Sequence, residues 1–317
     1  MVNTADILTL SSGTDIDGIF VIADASLRPF KNASKGNFLT FELRDKKGQI
    51  AATAFNHADT YYEIVKNAKV CRIQGKVNVY QGQNQIIVSS IEETNPYNPV
   101  DFLPTSPHDP DEMWVELVQI MDDKVKNKYM RDLWDKFKNN ETFVHKFKMC
   151  PGGKGNVHHA YLHGLLEHTL CVTKICSSFC YIYPIDPSII CMGAFLHDHG
   201  KMFSYTYDLT IEMTDIGRLH SHLNLSYTNI IPIINALEAP PEERNRMKKI
   251  LGHLILSHHG SLDLGAAVVP MTPEAILLSK ADIIDSEYNL STIYTNRIIE
   301  GNWSAYDNLK SKFYFKE

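Results

Sequence analysis

The spacing of apolar residues divides the chain into two regimes. Up to about residue 94 they alternate or form short runs of strand length. Ile19-Phe20-Val21-Ile22-Ala23 lies within a strand segment over residues 16–27, and Phe38-Leu39-Thr40-Phe41-Glu42-Leu43 alternates. Residues 50–55 follow the turn Asp45-Lys46-Lys47-Gly48. A short helix is expected over 58–66, then strands over 70–80 and 85–91 joined by Gln81-Gly82-Gln83-Asn84.

Five strands with a helix between the third and fourth is the order of an OB-fold, a small barrel whose face and loops hold single-stranded nucleic acid. Candidate contacts are Arg28, Phe30, Lys31, Lys35, Phe38, Arg44, Arg72, Lys76 and Tyr80, cations for phosphates mixed with rings for bases. Phe38 and Phe41 cannot face the same side of one regular strand, so one of them belongs to the core.

Pro96, Pro99, Pro104, Pro107 and Pro110 disfavour both helix and ladder, so residues 95–111 read as an extended linker. Beyond it the spacing becomes helical. Met113, Trp114, Leu117, Val118 and Met121 share one face, Leu133, Trp134 and Phe137 a second, and Phe143 and Phe147 a third. Cys150-Pro151-Gly152-Gly153-Lys154-Gly155 breaks the run. The division is an all-β OB-fold domain over 1–94, the linker over 95–111 and an all-α domain over 112–317.

Asp186-Pro187 opens a helix whose body, Ile189 to Leu196, is apolar throughout and therefore buried. It stops at His197-Asp198-His199-Gly200-Lys201. An imidazole and a carboxylate at the inner end of a buried helix need compensation, which a divalent cation supplies to both, although a simple His-Asp hydrogen bond is the plainer alternative. The other histidines favour the cation. Of fourteen, all but His57 lie beyond residue 100. A helix carrying Tyr161, Gly164, Leu165 and His168 on one face turns His168 inward, with Gly164 leaving room for an ion or a substrate oxygen. His158 and His159 fall at that helix's entry, within reach of substrate, and His163 with Glu167 reads as a surface pair. A helix over 216–237, kinked at Pro232, carries His222, and the next ends its apolar stripe in His258 and His259. His253 points about 140° from His258 and is a poorer ligand candidate. The last long helix, opening at Thr272-Pro273-Glu274, places Asp282 and Asp285 on a face with Ala275 and Leu278. A buried carboxylate needs a partner, and for Asp282 a cation fits best.

Composition sharpens this picture in three ways. With a net charge of -6 and a pI near 6.2, no global field attracts nucleic acid, so any such contact is local. The six cysteines form no CxxC pair and read as reduced core thiols. No apolar run is long enough to cross a bilayer and the N-terminus lacks signal-peptide features, so a cytoplasmic protein without membrane partners is expected.

His168, His197-Asp198 and Asp282 match, in order and helical context, the H…HD…D motif of the HD superfamily of metal-dependent phosphohydrolases. His222 and His258 fit the extra histidines of its two-metal members. The strings Val157-His158-His159, Gly164-Leu165-Leu166-Glu167-His168, Leu196-His197-Asp198-His199-Gly200-Lys201 and Ile255-Leu256-Ser257-His258-His259-Gly260 resemble the YhaM-type 3′-to-5′ exoribonucleases, which join an OB-fold to an HD domain. The resemblance spans nearly the whole chain. His199 departs from it, standing where an aliphatic residue is usual; packing, substrate binding and an enlarged metal site all remain open for it.

The resemblance implies metal-assisted phosphodiester hydrolysis on single-stranded RNA, with DNA as a further substrate. His168, His197, Asp198 and Asp282 would hold one divalent ion, and Asp198 would bridge to a second held by His222, His258 and His259. One or two ions per chain are expected, Mn²⁺ first, with Mg²⁺, Fe²⁺, Co²⁺ and Zn²⁺ as alternatives. Lys201 and His159 are the candidates for steadying the scissile phosphate, and helix capping is the alternative for Lys201. The competing functions are a phosphohydrolase of nucleotides or cyclic dinucleotides and a binding protein with a dead site, the latter disfavoured because every ligand position is filled. Oligomeric state is open, and a homo-oligomer is compatible with the sequence.

Overall fold

The computed structural model describes residues 3–308 and 310–317, and the chain divides into two compact units, Met1–Pro104 and Thr105–Glu317. Each has its own hydrophobic cluster, and the two clusters share no residue.

The first unit is a closed barrel of β1 (Asp15–Pro29), β2 (Asn37–Asp45), β3 (Gly48–Ala54), β4 (Val70–Tyr80) and β5 (Gln83–Glu93), in the order β1-β2-β3-β5-β4. A short helix, α1 (Thr4–Thr9), precedes it, and α2 (Ala58–Val65) lies between β3 and β4. Closure rests on β1, whose first half pairs with β4 and whose second half pairs with β2 across a bulge between Ala23 and Ser26. The bulge bends the strand so that one chain segment serves two neighbours. Alternation fills the interior: Ile16, Phe20, Leu39, Phe41, Leu43, Ile73 and Ile86 are buried. Phe41 is thus the core ring of its strand, and Phe38 is not.

Gly75 sits at the register shift between β4 and β5, where a Cβ would stand 2.4 Å from the backbone oxygen of Ile87. Backbone cannot give way as a side chain tip can. Gly75→Ala should therefore lower stability by about 1–3 kcal/mol, read as a fall in the melting temperature of the full chain; an unchanged melting temperature would show that the ladder has slack there.

The second unit is helical: α3 (Pro110–Lys124), α4 (Lys128–Lys138), α5 (Glu141–Met149), α6 (Gly164–Phe179), α7 (Pro187–Leu196), α8 (Lys201–Ser204), α9 (Asp215–Asn235), α10 (Pro241–Ser257) and α11 (Pro273–Asn296). A two-stranded hairpin, β6 (Tyr205–Tyr207) and β7 (Ile211–Met213), is set between α8 and α9. Helix α7 is the centre, packed by α3, α4, α6, α10 and α11. Asp186 caps it by accepting from the Ser188 amide, with Pro187 in the first turn, and nine of its residues are buried. The rings of Trp134 and Phe137 meet Phe195 edge-on at 4.9 and 5.5 Å, closing the core immediately before His197. After α11 the chain folds back on itself through antiparallel bridges Trp303 to Phe315 and Asp307 to Lys312.

Two local expectations are corrected. The helix of His168 begins at Gly164, after a left-handed His163, so Tyr161 precedes it instead of sharing its face. The break in α9 falls at Ser221 (φ 62°, ψ 151°), while Pro232 lies within helix. Among the described residues no helix is long and apolar enough to cross a membrane, and all six cysteines are free thiols.

Candidate metal centre

Four helices deliver the cluster. His168 comes from the second turn of α6, His197 caps the C-terminus of α7, His258 caps that of α10, and Asp282 projects from α11. Asp198 follows His197 into the turn that starts α8. That turn is bolted to α9: the Gly200 amide donates to Ser226 Oγ at 2.8 Å, and Ser226 Oγ donates to the His197 carbonyl at 3.2 Å. A Cβ on Gly200 would stand 2.2 Å from the His222 carbonyl oxygen, so the missing side chain is what lets α9 bring His222 to the cluster just past its break.

The hydrogen bonds on the far side of each ring fix which nitrogen faces inward. His197 Nδ1 lies 2.7 Å from the Ala194 carbonyl and His258 Nδ1 2.7 Å from the Ile255 carbonyl, so both must carry the proton there. His168 Nδ1 lies 2.6 Å from Asp285 Oδ2. The Nε2 atoms of all three rings are thereby turned into one space, where His168 and His197 Nε2 stand only 3.2 Å apart. Asp282 Oδ1 is 3.1 Å from His168 Nε2, and Asp198 Oδ2 is 3.5 and 3.4 Å from the Nε2 atoms of His168 and His197. Asp198 Oδ1 points the other way, 3.2 Å from His222 Nε2 and 3.5 Å from His258 Nε2, buried and without a hydrogen-bond partner. His222 and His259 approach through Nε2 at 3.2 Å.

Electron pairs converging in a buried space repel unless something positive lies among them. Charges within the cluster offset part of this. Burial pulls the His168 imidazole down, but Asp282 and Asp285 outweigh it and hold the ring near pKa 9. The Lys201 ammonium, itself buried, lies 2.6 Å from Asp198 Oδ2; burial opposes ionisation of Asp198, yet Lys201 and His197 hold its carboxyl well below the usual range. Burial keeps His222 neutral, well below an ordinary histidine, and brings His259 to about 4. Two ionised carboxylates, several neutral imidazoles and one orphaned buried oxygen form a donor set suited to a divalent transition metal. Three-residue groups within ligating reach include His168, His197 and Asp282; His197, Asp198 and His258; and His222, His258 and His259.

Asp285 was visible on the inner face of α11 but had no role assigned from the sequence; it orients His168. Asp285→Asn removes the charged acceptor that fixes the inward lone pair, and should weaken metal binding by about 10- to 100-fold. Competitive titration against a fluorescent chelator reads this directly, and unchanged affinity would reduce Asp285 to packing.

The cluster forms one wall of a cleft of about 390 Å³, lined also by Gly153, His158, Lys201, Tyr205, Leu264 and Lys310. His159, expected at the phosphate, is corrected here. It is buried behind His168, its Nε2 3.6 Å from Asp285 and 3.8 Å from Glu167, and it is His158 that reaches the cleft. The space beside Gly164 is filled by the backbone of His159, 2.2 Å from a notional Cβ, so no ion or substrate fits there. His163 is buried with Nδ1 2.7 Å from the Lys148 carbonyl, not paired on the surface. His199 is buried, its Nδ1 2.9 Å from the Leu196 carbonyl and its ring edge-on to Phe137, while its Nε2 is buried without a hydrogen-bond partner. His253 accepts from the Met271 amide at 2.9 Å.

On the barrel the nine candidates separate. Arg28, Phe30, Lys31, Lys35 and Phe38 line one shallow depression together with Phe55, which the alternation pattern did not single out. The three phenylalanine rings lie 5.1 to 6.2 Å apart. Arg44 is taken up by Asp24 and Glu42, Arg72 by Asp17 and Lys76 by Asp15, so their charge is spent locally. Arg72 holds the Asp17 carboxyl down to about 2. Tyr80 is exposed and contributes no ring to the cluster.

Both units match family models: residues 25–94 an OB-fold nucleic acid binding domain, and residues 165–287 an HD domain. The chain is a protein of the OB-fold plus HD domain class. It is 27% identical over 302 residues to the 3′-5′ exoribonuclease YhaM of Halalkalibacterium halodurans, covering 94% of this chain and 91% of that protein. The protein of the same name from Shouchella clausii is 29% identical over 92% of this chain and 90% of its own length, and that of Bacillus subtilis 27% identical over 86% of each.

Proposed function

We propose that this chain is a metal-dependent 3′-to-5′ exonuclease that hydrolyses the phosphodiester bonds of single-stranded RNA. The observation that carries the chemistry is the convergence of His168 and His197 Nε2, 3.2 Å apart, beside a buried Asp198 oxygen with no partner. The relatives supply the substrate class.

His168, His197, Asp198 and Asp282 would hold one divalent ion, and Asp198 Oδ1 with His222, His258 and His259 a second. Such ions activate water and neutralise phosphate oxygens as charge builds. The mixed imidazole and carboxylate donors suit Mn²⁺, Fe²⁺ or Co²⁺ better than Mg²⁺, and Mn²⁺ is our first choice. Lys201 lies at the cleft and would offer its ammonium to the scissile phosphate. His158, kept neutral by burial well below its ordinary pKa, presents an uncharged donor or acceptor to the same cleft. Arg28, Lys31 and Lys35 with Phe30, Phe38 and Phe55 would hold the strand on the barrel, a positioning role.

A 5′-labelled RNA incubated with Mn²⁺, Mg²⁺ or chelator tests this. A ladder shortening from the 3′ end only with metal is expected; hydrolysis of mononucleotides or cyclic dinucleotides with the RNA left intact would replace the proposal by the small-nucleotide reading.

A further inference from the structure

Four exposed rings in the second unit are not used by the proposed reaction. In the fold-back after α11, Tyr314 is the inward residue, 8% exposed, its ring 5.3 Å from Tyr294 of α11 and its hydroxyl donating to Asp307 at 3.0 Å. Alternation along an extended chain then throws Phe313 and Phe315 outward. There Phe315 meets Trp303 and Phe313 meets Tyr306, both pairs at 5.0 Å between centroids. Trp303 is 63% exposed, Phe313 and Phe315 55% each, and Tyr306 45%. An anchored hairpin with this much ring surface in water marks an interaction site.

Charge and continuity identify its occupant. Lys310 and Lys312 both reach one carboxylate, Glu287, at 3.2 and 3.3 Å, which gathers two ammonium groups at the turn of the fold-back. Lys310 also lines the cleft that holds Asp198, His258 and Asp282. Flat rings beside an ammonium that opens onto a phosphodiester cleft suit stacked bases and phosphates.

We propose that this C-terminal fold-back is a base-stacking platform for single-stranded RNA, holding nucleotides next to the bond being cleaved. The proposal rests on the exoribonuclease reading and adds a strand contact within the HD unit, separate from the barrel. Trp303 reports on it, because the other two tryptophans, Trp114 and Trp134, are buried.

Full-length protein kept in chelator is titrated with an eight-nucleotide RNA. Tryptophan emission should fall in a saturable, salt-sensitive way. Phe313→Ala and Phe315→Ala should each raise the dissociation constant, and the KM for short RNA with metal, by about tenfold, while hydrolysis of bis(p-nitrophenyl) phosphate stays at the wild-type rate. Trp303→Phe keeps a ring, and should keep the affinity while losing the signal. Absence of quenching together with an unmoved KM overturns the platform. So does a wild-type dimer that these alanine variants convert to monomer without changing KM, since the surface would then face a second copy. Quenching with RNA left unshortened would retain the platform as a binding site and reject the exoribonuclease reading, so the two failures are distinguishable.

Discussion

Asp198→Ala should abolish hydrolysis, with a fall of about three orders of magnitude or more, and should lower metal content per chain. The reason is that Asp198 serves both halves of the cluster, Oδ2 facing His168 and His197 and Oδ1 facing His222 and His258. No other carboxylate among the ligand candidates faces both. The variant also leaves the Lys201 ammonium buried without its partner at 2.6 Å, so some loss of stability accompanies it. Asp198→Asn retains the shape and is the better control for folding, because it removes the charge and keeps the volume. Elemental analysis and RNA hydrolysis on the two variants, each checked by thermal melting, decide the matter. Folded Asp198→Asn with wild-type metal content and wild-type rate would refute the site.

A chain truncated to begin at Thr105 should keep its metals and cleave bis(p-nitrophenyl) phosphate, yet lose affinity for a 20-nucleotide RNA by about 100-fold. Its helical core shares no residue with the barrel core, so it should fold without the barrel. What it lacks is the depression with Arg28, Lys31, Lys35 and the three phenylalanines. Three phosphate contacts contribute a salt slope of roughly -2 on single strands, and stacking on the rings adds about 1–3 kcal/mol per base. The full-length chain should therefore bind more tightly and lose more affinity as salt rises. The overall negative charge of the chain makes the comparison clean, since no diffuse basic field supplies the slope. Equal dissociation constants for both chains across a salt series would remove strand binding from the barrel.

Strands, helices and their order were legible because each follows from local periodicity. The alternation of Leu39, Phe41 and Leu43 and the unbroken apolar body of α7 both act over a few residues. So was the inward direction of His168, Asp282 and Asp285, which is a matter of helical phase. Local pattern failed where a loop replaced the helix it implied. The glycine and proline run ending at Gly155 extends irregular backbone to His163, and this puts His159 behind His168 and fills the space at Gly164. The break in α9 was assigned to Pro232, yet the helix carries proline there, and the φ/ψ departure lies at a serine that no composition rule marks.

Sequence by itself therefore determined the two-part architecture, the buried helix that ends in His197-Asp198 and the stock of candidate metal ligands. Tertiary structure alone decided which of those side chains share a space. His168, His197, His258 and Asp282 lie on four helices far apart in the chain, and their approach depends on how those helices pack. The same holds for charge. Arg28 and Arg72 are equivalent letters in the sequence, but Asp17 sits across the ladder from Arg72 and consumes its charge. The tautomer of His168, too, is a tertiary fact, set by Asp285 on the outer side of its ring, whereas those of His197 and His258 follow locally from the Ala194 and Ile255 carbonyls one turn back. Periodicity is a property of neighbours along a chain, whereas a lone pair acquires its function from neighbours in space.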